Sequence, residues 1–311
     1  MILTKKIWLG RWLALLLLLP AGKAVAGDEP REVDVKNFRL PTGLYAAHLN
    51  YVAVGGDEDH PDRWEVQKSY LVDLSGSGKQ NLVVLVRSFQ GESAASAGAF
   101  VLEKPEDTTA EWRFVDFWGT GEYARASFKD VDGRPGLEMI LEGGLGNHGS
   151  NLEILSLRRG KLVPLGAFEG YGQGVELQET GGKPKVVNHL NELPDACEGC
   201  QSSYPQISDF DGNSFVARAD DFVDCLKSLP GGRLSKEEAA AHAGCFSDVL
   251  KKRPDLFGAL VQAEYFYRQA GNVMQADRLR QRMQALPADK LSYLYDSEDS
   301  KDKRLRYMKE H

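Results

Sequence analysis

The residues of this sequence best suited to bind a metal ion are acidic side chains clustered in glycine-containing turns. Asp130, Asp132 and Glu138 follow one another around Gly133. Closely spaced carboxylates in such a turn can wrap a hard cation such as calcium, which takes about six to eight oxygen ligands. These three residues are therefore candidate calcium ligands. A weaker set of the same kind consists of Asp209, Asp211 and Asn213.

The turn at Asp130 belongs to an internal repeat. Residues 70–84 and 127–141 share one pattern, which is a strand, Asp-x-Ser/Asp-Gly, a short turn, a polar residue eight positions after the first Asp, and a second strand. Residues 208–213 look like a truncated third copy, and 181–187 keep only the outline of a turn followed by a strand. Repetition at this period predicts a series of similar β units.

This pattern resembles the FG-GAP or VCBS-type repeat of secreted β-propellers, the family that includes the head of integrin α-chains. The resemblance covers about 150 residues, and three or four copies of roughly 50 residues would make a small or incomplete propeller. In that family the acidic turn can bind calcium between two strands of a blade. The resemblance therefore implies a structural calcium ion held by Asp130, Asp132 and Glu138.

Two departures from the family pattern bear on the calcium prediction. The first copy has Ser75 and Ser77 where the family usually has acids, and the second has Arg134 at the third ligand position. A guanidinium at that position would repel a cation. Because Asp and Gly are also common in ordinary hairpin turns, the residues favour metal-free turns and leave bound calcium as the alternative.

The chain has four cysteines, an even number, which favours two disulfides if the protein is exported, as its first 26 residues predict (see below). Cys197 and Cys200 are close enough for a local bridge, while Cys225 and Cys245 lie on the two arms of a predicted helical hairpin. We therefore expect the pairs 197–200 and 225–245 among the three possible connectivities. A redox-active or zinc-binding role is the alternative, but neither a βαβ context nor zinc-type spacing accompanies these residues.

A glycine-rich loop, 144–149, has the letters of a dinucleotide-binding motif. The residues after it, 150–155, have the pattern of a strand, whereas that motif should open a helix. We interpret the loop as a connection between strands, in which His148 is a candidate for ligand contact. No nucleophile and base can be paired in the sequence, so the catalytic residues stay unknown.

The first 26 residues have the three parts of a secretory signal peptide. A basic segment ends at Arg11, an uncharged stretch of 11 residues runs from Trp12 to Gly22, and Ala24-Val25-Ala26 supplies the cleavage pattern. The uncharged stretch is shorter than the roughly 20 residues that cross a bilayer. We therefore expect an exported protein, periplasmic or secreted, with no integral membrane segment.

The negative net charge of the chain disfavours some classes of binding partner. The whole chain carries −7, and removal of the signal peptide leaves 34 Lys and Arg against 45 Asp and Glu, or about −11. An acidic surface repels phosphate backbones and anionic lipid headgroups. Nucleic acid and membrane are therefore poor candidate partners, and a protein or glycan in the cell envelope or outside the cell is the better one.

The pattern of apolar residues changes near Asp220. From 27 to 219, short apolar or alternating runs are broken by turn residues, which predicts strands. From 220 to 295, apolar residues recur at helical spacing, and the start and stop signals predict helices over 220–228, 235–252, 255–270 and 273–286. The mostly charged residues 296–311 are expected to be a solvated or frayed tail.

Together these features favour an exported, non-catalytic binding or scaffold protein that presents the loops of its β repeats to a protein or glycan. The alternative is an exported hydrolase with its site on the loop face of the propeller, because propellers carry both kinds of function. Trp64, Trp112 and Trp118 are candidate binding aromatics, although packing between blades is the more ordinary role for them.

Overall fold

In the part of the chain that the structure describes, a β region of three antiparallel sheets is followed by five α-helices. The expectation of a mainly β chain with a C-terminal helical region is therefore confirmed. The predicted signal peptide, His148, Cys197 and Cys200 lie outside the described residues. The computed structural model describes residues 29–35, 63–90, 93–104, 111–144, 149–171, 173–193, 202–229, 234–293 and 298–310.

Each sheet is a meander, in which strands that follow one another in the chain pair antiparallel. Within the described residues, none of the three sheets closes on itself. The first sheet contains β1 (Arg31–Glu32), β2 (Arg63–Val72), β3 (Asn81–Gln90), β4 (Ser93–Glu103) and β5 (Arg113–Thr120); the second contains β6 (Ala124–Lys129), β7 (Glu138–Gly144), β8 (Gly149–Arg158) and β9 (Lys161–Tyr171); the third contains β10 (Val175–Thr180), β11 (Lys183–Asn191), β12 (Ser203–Phe210) and β13 (Phe215–Ala217).

The apolar run in β3 explains why the first sheet is buried on both faces. Leu82 and Val84 belong to one apolar cluster and Val83 and Leu85 to another, because successive side chains of a strand point to opposite faces. All four side chains are almost completely buried. The continuous apolar run in β3 therefore forms a strand that is covered on both faces, as the length and composition of the run indicate.

The three sheets are stacked in chain order, with the second between the other two. Val101 of the first sheet packs in one apolar layer with Met139 of the second. Ile154 of the second packs in another layer with Val186 of the third. Tyr204, near the start of β12 in the third sheet, belongs to the core of the helical region. Each interior layer thus joins one sheet to the next element in the chain.

The helices begin where the sequence signals place them. Ser235 and Glu238 form a complete capping box, and the side chains of Asp220 and Asn272 accept hydrogen bonds from first-turn amides. Gly271, with a φ of +83°, ends one helix in the left-handed conformation that glycine adopts easily. The helices are α1 (Asp221–Lys227), α2 (Lys236–Lys252), α3 (Phe257–Gln269), α4 (Val273–Gln284) and α5 (Glu298–Glu310), and a 3₁₀ turn spans Ala288–Leu291.

The C-terminal segment differs from the expected solvated tail. Residues 298–310 form α5, and the side chain of Arg304 on this helix is completely buried. Buried arginines need a paired anion, and Glu192, which follows β11, supplies it. The charge that suggested solvation from the sequence therefore holds the helix against the rest of the molecule.

Candidate functional site

The repeated acidic turns join strands at the ends of the sheets. The first turn, 73–80, connects β2 to β3, and the second, 130–137, connects β6 to β7. The third, 211–214, connects β12 to β13, which are the last two strands of their sheet. In the third sheet the hairpin that follows the first strand is instead the glycine turn 181–182. The truncated third copy therefore occupies a different hairpin from the first two.

The second turn brings together the three residues predicted as metal ligands. One oxygen each from Asp130, Asp132 and Glu138 lies within 4.8 Å of the other two. The side chain of Asp132 is not exposed at all, and its Oδ2 accepts a hydrogen bond of 3.0 Å from Nη2 of Arg158. The Asp130 Oδ1 accepts a hydrogen bond of 2.8 Å from the Gly133 amide. The sequence therefore identified a true cluster of carboxylates.

Glu138 closes the second turn from the first residue of β7. Its Oε2 accepts hydrogen bonds from the amides of Val131, at 2.8 Å, and Asp132, at 3.3 Å. The side chain is nearly buried, and this burial raises its pKa above the ordinary value, against the opposing effect of the amide from Val131. The carboxylate thus serves as an acceptor for the backbone of its own turn.

The first turn has the same construction without a carboxylate in this position. Asn81 stands eight residues after Asp73, and its Oδ1 accepts a hydrogen bond of 3.3 Å from the Leu74 amide. Asp73 itself accepts from the amides of Ser75, at 3.1 Å, and Gly78, at 2.7 Å. The polar residue eight positions after the first Asp therefore has one shared role, which is to hold the turn.

The three turns lie next to one another in a row. The Leu137 amide donates to the carbonyl of Asp73 at 3.1 Å, which joins the second turn to the first. A Cβ on Gly76 would lie 2.2 Å from the carbonyl carbon of Pro135, so this approach requires glycine. On the other side, Arg134 Nη2 donates to the Gly212 carbonyl of the third turn at 3.2 Å.

The third turn uses its acidic residues separately. Asp209 forms a two-point ion pair with Arg218, with Nε–Oδ2 at 2.6 Å and Nη2–Oδ1 at 2.8 Å. Asp211 Oδ1 accepts from the amides of Asn213, at 2.8 Å, and Ser214, at 2.9 Å. These contacts lower the pKa of Asp209, mainly through Arg218, and of Asp211, mainly through the Ser214 amide. The weaker ligand set is thus engaged within its own hairpin.

A cleft between the second and third sheets was not anticipated from the sequence. It encloses about 340 Å³ between β6 and β10, and among the described residues each of these strands is paired on one side only. Its rim carries Lys129, which pairs with Glu179 at 2.6 Å, together with the exposed carboxylates of Glu142 and Glu176. The lining is otherwise Ser127, Ile140, Leu152, Val175 and Leu177.

A polar group lies between the first and second sheets. Trp118 Nε1 donates a hydrogen bond to Oε2 of Glu153, and Thr120 Oγ1 donates to Oδ1 of Asn151 at 2.9 Å. Burial, and then repulsion from the Glu169 carboxylate, raises the pKa of Glu153 to about 7. This glutamic acid therefore changes its charge near neutral pH, which its position in the sequence did not indicate.

The other candidate residues have structural surroundings where they are described. Cys225 on α1 is joined to Cys245 on α2 by a disulfide with Cα atoms 5.9 Å apart. Trp112 is buried in the core of the first sheet, whereas the side chain of Trp64 is outside the described part of the chain.

Comparison of the chain with known protein families, with curated proteins and with solved structures found no match. The resemblance to FG-GAP or VCBS-type repeats therefore stays a prediction from the sequence. Across the described residues, no helix has both the length and the apolar character needed to cross a bilayer. Function must accordingly be argued from the sites themselves.

Proposed function

We propose that this chain is an exported, non-catalytic binding protein that holds an extended segment of a protein partner in the cleft between β6 and β10. The cleft is the observation that carries this proposal. No strand in the described part of the chain covers the outer edge of either bordering strand, whose backbone amides and carbonyls another strand can pair with. Apolar side chains on the floor and charged ones on the rim are the usual surroundings of a peptide added to a sheet edge.

We also propose that the three meanders are an incomplete β-propeller. Three observations support this arrangement. Sheets of four main strands pack face to face in chain order, and the first two carry the same turn between the same pair of strands. The helical region packs on the third sheet through Leu193 and Tyr204, at the end of the row of sheets where a further blade would otherwise follow. In such an arrangement β6 and β10 are the innermost strands.

The charge on the rim of the cleft suggests what the partner segment contains. Glu142 and Glu176 are exposed, while Lys129 is already paired with Glu179. The rim is thus net acidic, in agreement with the chain as a whole. In an extended segment with alternating apolar and basic residues, the apolar side chains would pack on the floor of the cleft and the basic ones would pair with the carboxylates of the rim.

Site-directed crosslinking tests this function. A photo-crosslinking residue is placed at Ser127 in the cleft or, for comparison, at Asp302 on α5, and each mature protein is exposed to envelope extract. We expect one protein to crosslink from Ser127 and not from Asp302. The Glu142→Lys/Glu176→Lys variant should abolish this product, because it reverses the charge of the rim.

The matched control is Glu237→Lys/Asp302→Lys, which makes the same change in net charge on exposed helical positions. This control should capture the partner as the unaltered protein does. Equal capture by all variants would contradict a site in the cleft. If the crosslinked molecule is a carbohydrate and not a protein, the partner is a glycan and the proposed peptide segment is wrong.

A further inference from the structure

We propose that arginine side chains take the place of a bound cation in the acidic turns, so that these turns are independent of calcium. Arg158 neutralises the second turn and Arg218 the third. Arg158 ends β8, beside the second turn, and Arg218 follows β13, the strand after the third turn. Both side chains reach carboxylates that the sequence pattern predicts as metal ligands. This inference concerns the turns and does not rest on the partner proposed for the cleft.

The second turn carries the main evidence. Asp132 has a side chain with no exposed surface, so its charge needs a compensating group inside the protein. Arg158, the last residue of β8, supplies that group with Nη2 at 3.0 Å from Oδ2. Arg134 adds a second positive charge, with Nε at 3.8 Å from the same oxygen. Two guanidinium groups therefore stand where a cation would have to approach.

The remaining oxygens of the cluster do not fit a calcium ion. Four of the six carboxylate oxygens of Asp130, Asp132 and Glu138 already accept hydrogen bonds, three from amides of the turn and one from Arg158. Calcium takes about six to eight oxygen ligands and would have to displace these donors and two positive charges. The hydrogen-bonded turn with its arginine is complete without it.

The other two turns reach the same result by different means. In the first, Ser75 and Ser77 replace acids, their hydroxyl oxygens lie 2.6 Å apart in a hydrogen bond, and the Ser75 hydroxyl also donates to Asp73 at 3.0 Å. In the third, Arg218 holds both oxygens of Asp209. Carboxylates in one turn repel each other, and a bound cation can neutralise this repulsion. A turn that has fewer carboxylates, or that has an arginine beside them, does not need the cation for this purpose.

Arg134 adds a contact between turns that a metal ion inside one turn could not make. Its Nη2 reaches the Gly212 carbonyl at 3.2 Å and Oδ1 of Asn213 at 3.1 Å. The arginine that stands at the third ligand position of the second turn therefore fastens this turn to the third one, in the neighbouring sheet.

Thermal unfolding of the mature chain tests the proposal, with variants Arg158→Gln and Arg158→Lys. Arg159→Gln is the control, because Arg159 is exposed in the same hairpin and the change in charge is identical. Each protein is melted in chelator and in about 5 mM calcium, above the affinity range of extracellular calcium modules. We expect the same Tm for the unaltered protein in both buffers.

Arg158→Gln should lower the Tm by about 4–8 °C relative to Arg159→Gln, because it removes the nearer of the two positive charges beside the buried Asp132 carboxylate. The Tm of Arg158→Lys, which keeps the charge, should lie between the Tm values of these two variants. If Arg158→Gln does not fold, the Tm of Arg158→Lys relative to Arg159→Gln is the test. A Tm of the unaltered protein that falls in chelator and recovers with calcium would overturn the proposal. So would equal Tm values for the Arg158 variants and the control.

Discussion

Arg304 and Glu192 form an ion pair with Nε and Oε1 2.6 Å apart, and neither side chain has any exposed surface. The pair joins α5 to the end of β11, across 112 residues of chain. Arg304 also donates to the carbonyl of Leu291 and, at 2.7 Å, to that of Ser203. Glu192 accepts from the hydroxyl of Tyr293 at 2.9 Å. Burial, and then the negative charge of Glu192, raises the pKa of Tyr293. The C-terminal helix is thus fixed to the third sheet by polar contacts that solvent does not reach.

Replacement of Arg304 by Met should destabilise the protein strongly. The substitution leaves the Glu192 carboxylate buried without its partner, and the loss of one member of a buried pair costs about 3–5 kcal/mol. Urea unfolding measures the change in the free energy of unfolding. Arg306→Met is the control, since Arg306 is exposed on the same helix. Equal losses in the two variants would show that the pair does not hold α5.

Two glycines in neighbouring helices should respond oppositely to alanine. A Cβ on Gly258 of α3 would lie 2.7 Å from Oε2 of Glu192 and 2.6 Å from the ring of Phe222, whereas one on Gly244 of α2 meets nothing within 4 Å. Gly258→Ala should therefore cost about 1–3 kcal/mol through overpacking, and Gly244→Ala should gain about 0.5–1 kcal/mol from helix propensity. Urea unfolding of the two variants checks the signs, and a stabilising Gly258→Ala would contradict the close contact with Glu192.

The elements that the sequence predicted correctly are those with local signals. Ser235 and Glu238 are three residues apart and form the capping box that begins α2. The apolar run from Leu82 to Val86 is bounded by turn residues and lies in β3. Such signals depend on neighbours along the chain, so they can be interpreted without knowledge of the tertiary structure.

The features that the sequence could not predict depend on distant residues. No residue near Arg304 in the sequence indicates that its side chain pairs with Glu192, so the C-terminal segment was expected to be solvated. For the same reason Arg158 gave no sign of its pairing with Asp132. The cleft between β6 and β10 exists only because two sheets are packed side by side. In contrast, the cluster at Asp130 was found because its members belong to one short turn.

The disulfide between Cys225 and Cys245 should stabilise the helical region. It closes a loop with a sequence separation of 20 residues, and loss of a bridge of this span costs about 3 kcal/mol in chain-entropy terms. Cys225→Ser/Cys245→Ser should therefore lower the free energy of unfolding by about this amount, measured with urea under non-reducing conditions. Cys197→Ser/Cys200→Ser provides a comparison of equal composition. Peptide mapping that finds Cys225 bridged to Cys197 or Cys200 would contradict the pairing.

Stability should fall between about pH 4.5 and pH 7 because of Glu153. Its pKa rises from 4.5 to about 7 on folding, through burial and the nearby Glu169, so the folded state binds a proton that the unfolded state releases. This contribution is complete at pH below 4.5 and is lost as the pH rises through about 7. Glu153→Gln keeps an acceptor for the Trp118 indole and removes the titration.

The variant and the unaltered protein should consequently be equally stable near pH 4, whereas Glu153→Gln should be more stable at pH 8 by about 1–2 kcal/mol, a value reduced for partial exposure to solvent. Urea unfolding at both pH values measures the difference. Glu142→Gln, an exposed carboxylate on the second sheet, should show no comparable gain at pH 8. A Glu153→Gln variant with the same pH dependence as the unaltered protein would mean that another group titrates in this range, and that Glu153 stays charged beside Trp118.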